Sequence, residues 1–150
     1  MQTLANSIVL AEIVERVQAT KAEDRGLWGV MNAPEMLCHL RGAFRVAMGE
    51  LPSALVDGPM PREVLKSKAL WEPVPWRKNF YTVPVLKRGT PAMQVGIFEA
   101  DRADVLAELE RFCLPEQVRV DHSLFGQMSY VDWMRWGYLH TDHHLRQFGR

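Results

Sequence analysis

The sequence predicts an all-α protein: a four-helix bundle running up-down-down-up, with a long Pro-rich crossover between its second and third helices. Three observations predict it. Four stretches carry apolar residues at helical spacing. Seven of the nine prolines crowd into residues 51 to 96 (Pro52, Pro59, Pro61, Pro73, Pro75, Pro84 and Pro91). Three histidines distant in the chain reach one level only if the second and last helices oppose each other.

The first helix runs from Ser7 to about Lys21, with Leu10, Ile13, Val14 and Val17 on one stripe. The second opens at Asn32, an N-cap with Glu35 three residues on and Pro34 tolerated in the first turn. It continues through Met36, Leu37, Leu40, Phe44, Ala47 and Met48 to Gly49. In the crossover, Pro61 to Leu70 reads as one short helix. The rest reads as an ordered loop, because a solvated linker has no use for Trp71, Trp76, Phe80 and Tyr81. The third helix starts near Asp101 and passes Val105, Leu106, Leu109 and Phe112 before Pro115 stops it. The fourth begins at Ser129, with Asp132 at N3, and extends to Phe148 before Gly149.

Topology follows from loop lengths. The connection over 116 to 128 is short, which makes the third and fourth helices antiparallel neighbours. If the fourth opposes the second, the third must run parallel to the second, and residues 50 to 100 are long enough to carry the chain back. The 150 residues form a single domain by this reading.

Composition narrows the function. Eighteen basic and 18 acidic side chains give no net charge, and 47% apolar with 24% charged residues is an ordinary globular balance. No basic cluster marks a nucleic-acid partner. The longest apolar runs, such as Ile8 to Ala11, fall far short of the roughly 20 residues of a bilayer span. The first residues lack a basic region, an apolar core and a cleavage site, so a cytoplasmic setting is expected. Cys38 and Cys113 form no CxxC and read as small buried hydrophobes in a reducing compartment. The aromatic crossover leaves a homodimer open.

The five histidines are His39, His122, His140, His143 and His144. Residues four apart on a helix lie about 40° apart in azimuth, so His140 and His144 can address one ion. His143 lies about 60° to the other side and is a weaker alternative. Trp133, Trp136, Gly137, His140, His144 and Gln147 form one stripe, which puts the pair on the inward face. Buried imidazoles need partners, and a metal is one. His39 lies about 10 Å from the start of the second helix, while His144 and His140 lie about 6 and 12 Å from the end of the last. Antiparallel helices therefore bring all three to one level, and the bland alternative is three buried, hydrogen-bonded histidines.

The stretches Trp28-Gly-Val-Met-Asn-Ala-Pro-Glu-Met-Leu-Cys-His39-Leu and His140-Thr-Asp-His-His144-Leu-Arg-Gln147-Phe-Gly resemble the DinB/YfiT-like helical-bundle metalloprotein superfamily. The chain is similar to a bacterial branch in which a Trp-Gly-x-Met segment (Trp28 to Met31), a Pro-Trp-x-Lys-Asn segment (Pro75 to Asn79) and a His-Pro-x-Phe-Gly turn (His122 to Gly126) recur. Ser123 stands where that branch usually has proline. The resemblance covers nearly the whole chain. It implies an up-down-down-up bundle and a divalent metal, zinc or nickel, held by His39, His140 and His144.

Three imidazoles leave a coordination position open, as in catalytic zinc sites. Such an ion can lower the pKa of a bound water or hold a thiolate, so hydrolysis and thiol transfer are both available. Thr141 occupies the place of the zincin glutamate, so any base must come from elsewhere. His122 and His143 are the catalytic candidates for moving a proton. Gln147 is a candidate to orient a ligand histidine, and Glu35 either orients His39 or serves its helix cap. Trp133 and Trp136 read as core. Trp71, Trp76, Phe80 and Tyr81 make either a lid or a satellite core. Arg41, Arg45 and Arg146 either bind an anionic substrate group or line solvated faces. The expected function is a metal-dependent hydrolase or thiol S-transferase acting on a small molecule. The resemblance suggests detoxification-type transfer with a low-molecular-weight thiol as co-substrate, or amide hydrolysis. The alternative is a non-catalytic, metal-stabilised bundle that binds a ligand or a protein.

Overall fold

Helical periodicity governs the regular structure: α1 (Ser7–Gln18), α2 (Ala33–Ala47), α3 (Arg62–Trp71), α4 (Phe98–Cys113) and α5 (Tyr130–Gln147), with 3-10 turns at Pro84–Leu86 and Pro91–Met93. The computed structural model describes residues 1–72, 74–79 and 82–150; Pro73, Phe80 and Tyr81, read above as part of the ordered crossover, lie outside the described residues. Among the described residues the protein is all-α, with one isolated bridge between His122 and Gly126 and no strand. No described helix is long and apolar enough to cross a membrane.

The caps explain where helices start. Asn32 accepts from the Glu35 backbone N–H at 2.9 Å while the Glu35 carboxylate accepts from the Asn32 N–H at 2.9 Å. Ser129 and Asp132 repeat this reciprocal pair at α5. Each such cap is worth about 1 kcal/mol. The short helix expected over Pro61 to Leu70 is α3, so α4 and α5 are the third and fourth helices of the sequence reading. α4 opens at Phe98, three residues before Asp101, and Ile97 gives it no side-chain cap. The Asp101 carboxylate instead reaches back to accept from the Gly96 N–H at 2.8 Å.

Residue pairs give the helix directions. Cys38 and Arg41 of α2 meet Asp101 of α4, and Phe44 meets Phe112 at a ring separation of 5.0 Å, so the contacts advance together along α2 and α4. Between α2 and α5 they advance oppositely: His39 meets His144, and Phe44 meets Trp136. Phe112 also lies 5.9 Å from Trp136, closing the aromatic centre of the core. Gly137 permits this approach, because a Cβ there would lie 2.7 Å from both Leu4 Cδ1 and Phe112 Cε1.

The crossover is tied down at both ends. The buried Arg135 of α5 donates to the carbonyls of Leu70 and Gln2, at 2.7 Å each. Trp71 donates through its indole N–H to Asp132 Oδ1 at 3.0 Å, pinning the end of α3 to the start of α5. Further on, Leu86 fills the hollow above Gly42, where a Cβ would collide with it. The crossover thereby lies across α2, one turn from His39.

Candidate metal centre

His39 sits on the inner face of α2, fixed by the capping box one turn earlier. His140 and His144 project from α5 one turn apart. The three ring centroids are mutually close: His39–His140 5.2 Å, His39–His144 4.6 Å and His140–His144 4.8 Å. One ring nitrogen from each lies within 4.8 Å of the others, so the cluster can hold a metal ion. The convergence expected from helix lengths is present, and the threefold set is the one the sequence singled out.

The donor chemistry fits a divalent cation. His39 Nε2 and His140 Nε2 are 3.2 Å apart. Two nitrogens each bonded at 2.0–2.1 Å to a tetrahedral ion sit about 3.3 Å from each other. Burial pushes the His39 imidazole down to about 4 and drives His140 and His144 well below their usual range, with neighbouring imidazoles adding to the effect. All three are therefore neutral at pH 7 and carry the lone pairs that ligation needs. His140 Nδ1 is buried with no hydrogen-bond partner among the described residues. The Nε2 pair is spaced for shared ligation of one ion, which leaves Nδ1 as the protonated nitrogen of His140.

Gln147 orients one member. Its amide nitrogen donates to the Trp28 carbonyl at 2.7 Å, which turns Oε1 toward His144 Nδ1 at 3.0 Å. Nδ1 of His144 is thus the protonated nitrogen, and Nε2 keeps its lone pair. The contact depends on Gly29: its φ is +78°, and a Cβ there would lie 2.6 Å from Gln147 Nε2.

The histidines open onto a cavity of about 860 Å³, the size of a small-molecule site. Trp76 stands over it, its ring 6.3 Å from His140 and 6.4 Å from His143, while Trp136 stacks on His140 at 5.0 Å. Trp76 holds its place by donating to the Ala69 carbonyl at 2.7 Å. Trp71 is bound to α5, and Trp133 and Trp136 are buried. His143 is half-buried, 5.8 Å from Trp28, and lowered from its ordinary value by burial first and then by the Arg146 charge. His122 lines the same cavity but serves the turn: its Nδ1 accepts from the Leu124 and Phe125 N–H groups at 3.2 Å each. Burial pushes it down to about 4, away from neutrality.

Other candidates are accounted for by ion pairs. Arg41 binds Asp101 and Asp104, Arg45 binds Glu50, and Arg146 binds Asp142. Glu35 completes the α2 cap and pairs with Arg88, so it does not orient His39. Cys38 and Cys113 are free thiols, both pushed up by burial. The sequence reading assigned no site role to Trp28, Arg77 or Lys87. Trp28 belongs to the Trp28 to Met31 segment that resembles the superfamily, and that was the available signal for it. No family model, no curated protein and no solved structure matches the chain.

Proposed function

We propose that this chain is a four-helix bundle of the DinB/YfiT-like kind, running up-down-down-up, in which His39, His140 and His144 hold a divalent ion, zinc or nickel, for chemistry on a small molecule. The reaction class is hydrolysis or thiol S-transfer, the latter with a low-molecular-weight thiol as co-substrate. One observation carries the reading: three neutral imidazoles from two helices converge at the wall of a cavity large enough for a substrate. The opposed contacts of α2 with α5, and the parallel ones of α2 with α4, support the helix order.

When bound, a divalent ion supplies Lewis acidity suited to hydrolysis or to holding a thiolate. The chain's own residues supply the rest. Gln147 fixes the His144 ring, Trp76 and Trp136 flank the His140 ring, and the apolar wall binds the substrate body. His143, neutral and beside the triad, is the group placed to take a proton. His122 has only its second nitrogen to offer, since the turn occupies the first.

The test is a panel of thiol-transfer and amide-hydrolysis substrates with zinc- or nickel-loaded protein and its His144→Ala variant. The reading expects metal-dependent turnover that the variant loses while keeping its helicity. One ion bound per chain with no metal-dependent turnover on either class would overturn the enzymatic reading in favour of a metal-stabilised binding module.

A further inference from the structure

The cavity wall is polarised along α2. Its charged members other than histidine are Arg77, Lys87 and Arg88 on one side and Asp121 on the other. Arg88 is already neutralised by Glu35 in the first turn of α2. Arg77 and Lys87 are exposed and take part in no ion pair among the described residues. Arg77 follows Trp76, whose ring faces His140 and His143, and lines the same cavity. Lys87 lines the cavity between Leu86, seated over Gly42, and Arg88, seated on Glu35, two α2 positions that bracket His39 in sequence. Lys78 adds a third cation nearby, its ammonium 4.4 Å from the Trp28 ring centre.

The opposite end is different in kind. The Val120 N–H donates to the Ala47 carbonyl at 2.9 Å, which places Asp121 by the end of α2. From His39 to Ala47 is eight residues, about 12 Å along the helix. Much of the remaining wall is apolar, with Ala43, Val46, Leu65, Leu124, Phe125 and Trp136 among its members.

From this arrangement we infer that the cavity binds an amphiphilic monoanion: a carboxylate-type head met by Arg77 and Lys87 beside the histidines, and an apolar body extending about 12 Å along α2. The inference rests on reading the cavity as the substrate site and names the class of molecule it takes. Asp121 at the far end disfavours a second negative charge there. Free guanidinium and ammonium groups pair with a carboxylate by charge-assisted hydrogen bonds, and the apolar wall gains from each methylene removed from water.

Calorimetric titration with acetate, hexanoate, decanoate and the neutral decanamide tests this on the full chain, with zinc and after chelation. Affinity should rise by up to about fourfold per methylene along the acids. Decanoate should bind about tenfold more tightly than decanamide. Arg77→Gln/Lys87→Gln should erase that preference while leaving decanamide affinity and zinc content unchanged. Persistence of the preference after chelation assigns it to the two cations, and it would stand even if zinc failed to bind, an outcome that sinks only the metal reading. Equal affinity for decanoate and decanamide would overturn the inference. So would a preference that disappears with zinc but survives the double substitution.

Discussion

His39 Nε2 and His140 Nε2 lie 3.2 Å apart across 101 residues of sequence. Burial keeps both rings neutral, so each of the two facing nitrogens is an N–H or a lone pair according to its ring's tautomer. With both protons on the outer nitrogens, the two rings and His144 would ligate one cation together. Adding zinc at about 100 times its dissociation constant should therefore stabilise the fold by about 2.7 kcal/mol, raising Tm by roughly 5–10 °C. His39→Ala should lose the increment in a thermal melt; an undiminished increment in the variant would show that zinc binds elsewhere.

Gln147 transmits the geometry of the Trp28 segment to His144. Gln147→Ala should weaken zinc binding by about 10- to 100-fold. Gly29→Ala should weaken it through the same contact, because a methyl there displaces the Gln147 amide. Competition against a chromogenic chelator measures both, and wild-type affinity in either would remove that residue from the account.

His122 predicts a pH dependence of stability. Its imidazole is held near 4 when folded and returns to about 6.5 when unfolded, so on acidification the unfolded chain takes up the proton first. Its contribution is intact above about pH 6.5 and falls away toward pH 4, by no more than about 3 kcal/mol. Between pH 7 and 5, His122→Asn should lose about 2 kcal/mol less stability than the wild type in zinc-free urea titrations. Parallel pH profiles would contradict the burial of this ring.

Gly137 is required by close approach. An added Cβ meets Leu4 and Phe112, and the resulting overpacking should outweigh the gain in helix propensity. Gly137→Ala should cost about 1–2 kcal/mol in urea unfolding, whereas Val131→Ala on the exposed face of the same helix stays within about 0.5 kcal/mol. A stabilised Gly137→Ala would mean that α5 is packed less tightly there.

The parts of this fold set by nearby residues were legible in the sequence. Asn32 with Glu35, and Ser129 with Asp132, mark their helix starts because both members of each cap lie within one turn. The histidine triad was legible for a geometric reason: helical rise fixes each residue's level, and only one orientation brings His39 to His140 and His144. The start of α4 was misplaced by three residues because Asp101 resembles a cap while its carboxylate bonds Gly96 from inside the helix. Arg41 could be read as an anion site because its partner Asp101 lies 60 residues on and reaches it only in the fold, whereas Arg45 has its partner Glu50 just past the end of its own helix. The Trp28–Gln147 contact spans 119 residues, and the cationic wall of Arg77 and Lys87 depends on the path of the crossover. Neither leaves a periodic trace.

The most direct test is metal content and coordination in protein purified without a histidine tag and dialysed against zinc. Elemental analysis with X-ray absorption should find about one zinc per chain, bound by three imidazole nitrogens at about 2.0–2.1 Å. The simultaneous replacement of His39, His140 and His144 by alanine should abolish it. A zinc-free wild type, or full occupancy in the triple variant, would contradict the account.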